Sequence, residues 1–371
     1  MAAGEATAPA WREVAELLAA GVGEVYTAAA AVVGEGGVVR WQGVAGRLSR
    51  DPHSPPATLE AVFDLASLTK PLATALAVLL LTQEERVSLE EPLRRWFSGR
   101  WLPPDKGELT LMQLLTHRAG LPAWRPLFQD LLEAPPSARP GLLPRLAAAV
   151  PLEHPPDTVT LYSDLGFMML QGVVEEVAGR PLDGFCREKI YEPLGLRRLG
   201  FNPRRWPGGD ALPYAATEPG LISGRPAAGE VHDENAWAAG GVAGHSGLFG
   251  TAGEVFSLVS ALWRAWQGEE GSPFQPAGVR HFLSRPLGAE RALGFDCPPA
   301  PPELGAAGHY FSPASVGHLG FTGTSFWLEP ETGRVVVLLT NRVHLGREDK
   351  EKIQAFRPRF HDAACWALGC A

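Results

Sequence analysis

Ser67 and Lys70 stand three residues apart in Phe63-Asp64-Leu65-Ala66-Ser67-Leu68-Thr69-Lys70-Pro71 and pair a hydroxyl with an amine able to take its proton. A serine hydroxyl is a poor nucleophile until a neighbour does so, and an apolar surround of Leu72, Leu76 and Leu79 would favour the neutral amine. The chemistry this predicts is acyl transfer through a covalent acyl-enzyme. Pro71 is tolerated only in or beside the first turn of the helix that follows, which sets Ser67 at a helix N-terminus. There, unpaired N–H groups and the dipole favour an oxygen that becomes an oxyanion. The i, i+3 spacing turns Lys70 to the same face as Ser67. Alone the spacing is a weak signal, because most S-x-x-K matches are solvated helix starts with an N-cap serine.

The elements that must position this pair follow from periodicity and turn chemistry. Trp11, Val14, Leu17 and Leu18 share one helical face, predicting an amphipathic helix over residues 11–20. Tyr26 to Val33 and Val38 to Ala45 flank Gly34-Glu35-Gly36-Gly37 and predict an antiparallel hairpin. Thr324 to Glu329 and Arg334 to Asn341 repeat that pattern around Pro330-Glu331-Thr332-Gly333, and a last helix runs to Cys370. Between the ends the period is helical. Thr110 with Gln113, and Thr251 with Glu254, form candidate capping boxes, and a helix from Asp164 to Val177 stops at Gly179 before Pro181. Residues 200–240 hold few periodic apolar positions and are expected to form a long ordered loop. The order predicts an α+β fold in which both chain ends share one antiparallel sheet flanked by helices, with an all-helical domain inserted. The expected division is residues 1–80 and 226–371 for the two parts of the α/β domain and 81–225 for the insert.

Composition narrows the function. The chain has 371 residues, 45% of them hydrophobic, enough for one large core or two modest ones. Its 42 glycines and 34 prolines exceed the usual combined share of about 12% and carry no period, which predicts many turns. A net charge of −8 with no long basic run argues against nucleic acid as a partner. Pro71 to Leu81 is about half of the roughly 20 residues that cross a bilayer, so it is expected to be a core helix and not a membrane span. The first thirty residues carry acids and Arg12 where a secretory signal would be basic and then apolar, and a cytoplasmic protein is expected. Cys186, Cys297, Cys365 and Cys370 form no C-x-x-C pair, so a zinc site is unsupported and reduced thiols are expected. His117 and His245 sit beside glycines at element ends, where capping is the expected role.

The nucleophile stretch DLASLTKPLATALAVLLL and the segment LLTHRAGLP at 114–122 resemble the penicillin-recognising serine hydrolases, in the group of class C β-lactamases, related esterases and D-aminopeptidases. That resemblance implies the β-lactamase/transpeptidase-like fold, no metal and no cofactor. It also implies a tyrosine beside the serine and lysine that passes protons between them, matched by Tyr162 in Tyr162-Ser163-Asp164. A phenol near ionic groups can have its pKa lowered enough for acid–base work. Asp164 replaces the family's asparagine; a carboxylate there would hold Lys70 protonated, as an ion pair or with Tyr162 as the operative base, and N-capping the next helix is an equal alternative.

The family's edge-strand Lys-Thr-Gly is matched by His318-Leu319-Gly320. Gly320 would let the strand backbone approach the substrate. The N–H groups of Ser67 and Phe321 would form the oxyanion hole, each contributing about 3 kcal/mol to the transition state. Histidine in place of the permanent cation puts recognition of an anionic β-lactam in doubt. Residues 229–255 resemble members that handle muropeptides, and from that loop His232, Asp233 and Asn235 either face the substrate or stitch the loop together. The implied activity is hydrolysis of small-molecule esters, amides or peptides, as a carboxylesterase or a D-amino-acid or muropeptide amidase. The alternatives are a β-lactamase or D-Ala-D-Ala carboxypeptidase and, from another class, a non-catalytic binder of peptidoglycan fragments.

Overall fold

The computed structural model describes residues 9–97, 102–218, 227–299 and 303–370. In chain order its strands are β1 (Ala28–Glu35), β2 (Val38–Gly46), β3 (Phe63–Asp64), β4 (Leu199–Phe201), β5 (Leu248–Gly250), β6 (Val316–Leu319), β7 (Ser325–Glu329) and β8 (Arg334–Thr340). β1 reads AAAAVVGE and is buried from Ala28 to Gly34, the signature of a strand covered on both faces. It is accordingly internal to a five-stranded sheet of order β2-β1-β8-β7-β6 in which every pairing is antiparallel. Strands from the two chain ends thus meet at β1 and β8, where Ala29 faces Thr340 and Val33 faces Val336. Gly36 and Gly37 close the first hairpin with φ of +60° and +73°, the two positive values that a tight hairpin turn matched to strand twist requires. A second sheet, β3-β5-β4, lies beside Ser67.

Alternate residues of β1 face two cores. Ala29, Ala31 and Val33 pack with Trp11, Val14 and Leu18 of helix α1 (Pro9–Ala20) and with residues of the last helix, such as Phe356 and Phe360. Ala28, Ala30 and Val32 turn to the larger core, built on α2 (Leu76–Gln83), α3 (Leu111–Leu115), α4 (Phe128–Glu133), α5 (Arg139–Ala149), α6 (Asp164–Ala178), α7 (Leu182–Cys186), α8 (Glu234–Ala238), α9 (Ala252–Gln267) and α10 (Pro276–Leu283). The last helix, α11, spans Glu351–Ala367. The architecture is α+β, as the order of elements predicts.

The termini of the helices follow their caps. Thr110 and Gln113 bond reciprocally as a full capping box before α3. Thr251 caps α9, but Glu254 turns away to take the N–H groups of Arg197 and Arg198. α6 ends at Gly179 in the left-handed conformation, φ +67°. The stretch 200–240 is less uniform than expected: it closes β4, passes through short turns and forms α8. Residues 219–226, and with them the expected boundary between 225 and 226, lie outside the described residues. Ala66–Gln83 is the one described helical stretch long and apolar enough to cross a bilayer, and 83% of it is buried in the core. All four cysteines are free thiols.

Candidate active site

The chain reaches Ser67 through a strained step. Ala66 has φ +48°, an unfavourable value for a residue with a side chain, and its N–H is held by Asp64 Oδ1 at 2.8 Å. Ala66–Leu68 forms a single 3-10 turn, followed by a π-helical turn over Lys70–Ala75 before α2 begins. The expected helix start is therefore two tight distortions, with Pro71 near the start of the second, where a missing N–H is tolerated. Asp64 was not singled out from sequence. Its second oxygen accepts the N–H of His232 at 2.7 Å, so one buried carboxylate fixes both the Ser67 turn and the 232 loop.

Lys70 is fully buried, and its ammonium meets three acceptors: Ser67 Oγ at 2.9 Å, Asp164 Oδ1 at 2.6 Å and the His245 carbonyl at 3.2 Å. Leu72, Leu76 and Leu79 are buried as expected, but of the two expectations for Lys70 the ion pair with Asp164 prevails over the neutral amine. Burial pulls the lysine pKa down, while the Asp164 charge and then Tyr162 pull it up, and the net direction is upward. A carboxylate arriving from α6 has converted a lysine that its neighbours would deprotonate into an ammonium.

Tyr162 stands beside this pair, with Lys70 Nζ 4.8 Å from its ring centre. Its loop is bolted down: His117 Nδ1 accepts the Ser163 N–H at 3.0 Å, Ser163 Oγ donates to the Pro122 carbonyl at 2.6 Å, and the His117 ring lies 4.6 Å from the tyrosine ring. His117 thus braces Tyr162 instead of capping a helix. Burial raises the Tyr162 pKa against the lowering effect of Lys70, the reverse of the direction expected, so the group is a neutral phenol and a proton donor. His318 is buried on edge strand β6 and its pKa falls well below the ordinary value, through burial first and then the charges of Lys70 and Arg291. A neutral imidazole near pH 7 agrees with the reading of that substitution.

A cavity of about 410 Å³ opens on Ser67, Tyr162, Asp164, His232, His245 and Phe321. Three of the expected substrate contacts are not on its described wall. His318 lies behind Tyr162, its ring centre 6.0 Å from the phenol's. Asn235 is fully buried with both amide atoms engaged, Oδ1 by the Phe128 N–H at 2.8 Å and Nδ2 by the Arg125 carbonyl at 2.9 Å, and so ties α8 to the segment before α4. Gly320 is excluded because it packs under the site: a Cβ there would meet Thr324 Oγ1 at 2.0 Å and the Leu65 carbonyl at 2.7 Å. The glycine makes room for the segment that leads into Ser67. Gly320→Ala is expected to destabilise the fold by about 1–3 kcal/mol and to lower kcat; thermal unfolding at unchanged Tm would refute the close packing.

Asp164, Asp233 and His245 offer three ligand atoms within 4.8 Å of one another. Each has other work. Asp164 neutralises Lys70, and Asp233 both accepts from His245 Nε2 at 2.8 Å and caps α8 through the Ala236 N–H. Burial pushes the Asp233 carboxyl up, but its contacts with His245 and the Ala236 N–H outweigh that and hold it at about 2. The Lys70 ammonium already supplies the cation this cluster would seek. His232 reaches the cavity with its ring stacked 5.6 Å from Phe321 and its Nε2 2.6 Å from Glu218.

A nucleophile turn flanked by helices on a five-stranded antiparallel sheet is the β-lactamase/transpeptidase fold, a fold of serine hydrolases. The chain belongs to the Beta-lactamase family, whose profile matches residues 14–357. Among curated proteins it is 32% identical over 316 residues, 80% of this chain and 72% of the relative, to an Escherichia coli (strain K12) protein named "Putative D-alanyl-D-alanine carboxypeptidase". The same name is borne by a Salmonella typhimurium relative 31% identical over 312 residues, covering 79% of this chain and 72% of that one. Among solved structures, EstCE1, described as a hydrolase with promiscuous acyltransferase activity, superposes with a TM-score of 0.71 at 23% identity, covering 96% of this chain and 98% of that one. An octameric penicillin-binding protein homologue from Pyrococcus abyssi does so with a TM-score of 0.71 at 19% identity, covering 97% and 76%. These likenesses between structures concern the fold.

Proposed function

We propose that this chain is a serine acyl hydrolase that forms an acyl-enzyme on Ser67 and acts on D-alanyl peptides or related small amides and esters. The observation that carries the reading is Lys70 Nζ at 2.9 Å from Ser67 Oγ, with Tyr162 beside both and the group open to the cavity. In the resting state Lys70 is protonated, so the reaction needs a place for one proton, and Asp164 is that place. Asp164 then takes a proton from Lys70, the neutral amine takes the hydroxyl proton of Ser67, and Oγ bonds to the carbonyl carbon. The N–H groups of Ser67 and Phe321 hold the oxyanion. Tyr162 gives its proton to the leaving nitrogen or oxygen and recovers one from Lys70, and water then enters by the reverse path to release the acid.

Substrate class is supported by the curated relatives' name and by Lys350. This residue lines the cavity mouth with Nζ 5.2 Å from the Phe321 ring centre, and among the described residues it has no carboxylate partner. A peptide's free carboxylate fits such a cation, a charge that neutral His318 does not supply. Lys350→Glu is expected to lower kcat/KM for an N-acyl-D-Ala-D-Ala peptide by at least about tenfold, mainly through KM, and to leave a neutral p-nitrophenyl ester within about twofold. Equal effects on both would remove carboxylate recognition and leave the ester reading. The acyl-enzyme itself is tested by intact mass after an aryl phosphonate: one adduct is expected, and none would overturn the reading.

A further inference from the structure

We infer that Arg357, on α11, is a positioning residue for catalysis that orients and polarises the Gly320–Phe321 peptide so that its N–H is aimed at the oxyanion. The inference rests on the acyl-enzyme reading above and concerns a residue remote in sequence from every motif of the site.

Arg357 is 6% exposed, and no carboxylate lies within ion-pair distance of it among the described residues. Burying a cation without a counter-ion is costly, and such a group persists only where the surroundings make use of it. Its Nη2 donates to the Gly320 carbonyl at 2.7 Å and to the Thr324 carbonyl at 2.8 Å, while Nε has no partner among the described residues. Burial brings the guanidinium down to about 9, with Arg342 adding to the effect, and it stays cationic at neutral pH.

The geometry of the peptide bond supplies the next step. Gly320 C=O and Phe321 N–H belong to one planar unit in which, when trans, the two bonds point in opposite directions and their dipoles align. A cation fixed on the oxygen therefore sets the direction of the N–H and withdraws electron density from it, making it a stronger donor. The rest of the turn is clamped as well. Gly320 N–H donates to the Thr324 carbonyl at 2.7 Å, Thr324 Oγ1 to Leu65 O at 3.1 Å, and Thr322 Oγ1 to Asp64 O at 2.7 Å. The turn that carries the Phe321 N–H is thereby tied to the residues immediately before Ser67. Arg357 adds what those neutral bonds lack, a positive charge behind the peptide whose field favours a developing negative charge in front of it.

The test uses the full chain with p-nitrophenyl butyrate as substrate and phenylboronic acid as a tetrahedral mimic that bonds to the nucleophile. Aryl phosphonate labelling of the parent at Ser67 is checked first. Arg357→Met is expected to lower kcat by about 10- to 100-fold with KM within about twofold, and to weaken phenylboronic acid by the same factor. Arg357→Lys, which keeps the charge but not the fork, is expected to fall between. Unchanged kcat in either folded variant, or a loss of kcat without the parallel loss of boronate affinity, would leave Arg357 a structural residue. If Arg357→Met does not fold, Arg357→Lys decides by the same two readings. A parent that takes no phosphonate label overturns the acyl-enzyme reading, and the role of Arg357 falls with it.

Discussion

Ser67→Ala is expected to abolish phosphonate labelling and to lower kcat on the order of 10⁴- to 10⁶-fold, the scale at which a serine nucleophile and its proton acceptor act as one unit. The variant should fold normally. Ser67 is half-buried and its hydroxyl accepts from Lys70 at 2.9 Å, and Lys70 keeps Asp164 and the His245 carbonyl as partners after the change. The stability cost of such a bond is about 1 kcal/mol. The backbone strain sits at Ala66, and the Asp64 carboxylate that restrains it is untouched. Large loss of rate with little loss of stability separates a nucleophile from a structural N-cap serine. An N-cap would show the opposite: a fall in Tm with activity retained. Retained hydrolysis in a folded Ser67→Ala protein would rule out the acyl-enzyme on this residue.

The parts of this site that could be read from the chain are those governed by local rules. The Gly36-Gly37 turn, the Thr110–Gln113 box and the Gly179 stop each act within a few residues, and each stands where its pattern put it. β1 and β8 were legible as strands because continuous apolar runs bounded by turns have few other solutions. β3, β4 and β5 were not, since strands of two or three residues carry no measurable period. Electrostatics was the less legible layer. The apolar nucleophile helix favours a neutral Lys70 and Asp164, 94 positions later, favours an ammonium; both influences were legible, and which of them prevails was not. For Tyr162 the nearby cation was foreseen and the greater effect of burial was not. Asn235 was given two roles, facing the substrate or stitching its loop, and its hydrogen bonds to the Phe128 N–H and the Arg125 carbonyl are those of the second, whereas the tight packing of Gly320 against Thr324 and Leu65 was not foreseen. Arg357 lies on a helix whose sequence gives no sign of which carbonyls it will reach.

Lys70→Met should remove activity by a different route from Ser67→Ala and, unlike it, should also destabilise the protein. A positioned general base contributes about 10² to 10⁴ in rate, and breaking a buried ion pair from one side costs up to about 3 kcal/mol when the orphaned charge retains some solvent, as Asp164 does at 17% exposure. The double variant Lys70→Met/Asp164→Asn should recover much of that stability and none of the activity, which separates the electrostatic role of the pair from its catalytic role. The pH dependence gives the sharper test. A lysine whose folded pKa lies above its ordinary 10.5 adds stability at every pH below that value and loses it only as pH rises through the folded value. Catalysis asks for the opposite protonation state, a neutral Lys70, so the same ion pair that stabilises the fold suppresses the base. In Asp164→Asn the upward pull of the carboxylate is gone and the downward pull of burial remains. With no carboxylate left to take its proton, Lys70 must already be neutral before substrate binds, so the acid limb of kcat/KM should move to higher pH, to where the variant's lysine loses its proton, while kcat falls because the proton acceptor for Lys70 has been lost. Measured across pH 5 to 10 with a neutral ester, an unmoved limb would show that Lys70 is not the titrating base, and an unmoved plateau would show that Asp164 takes no proton during the reaction.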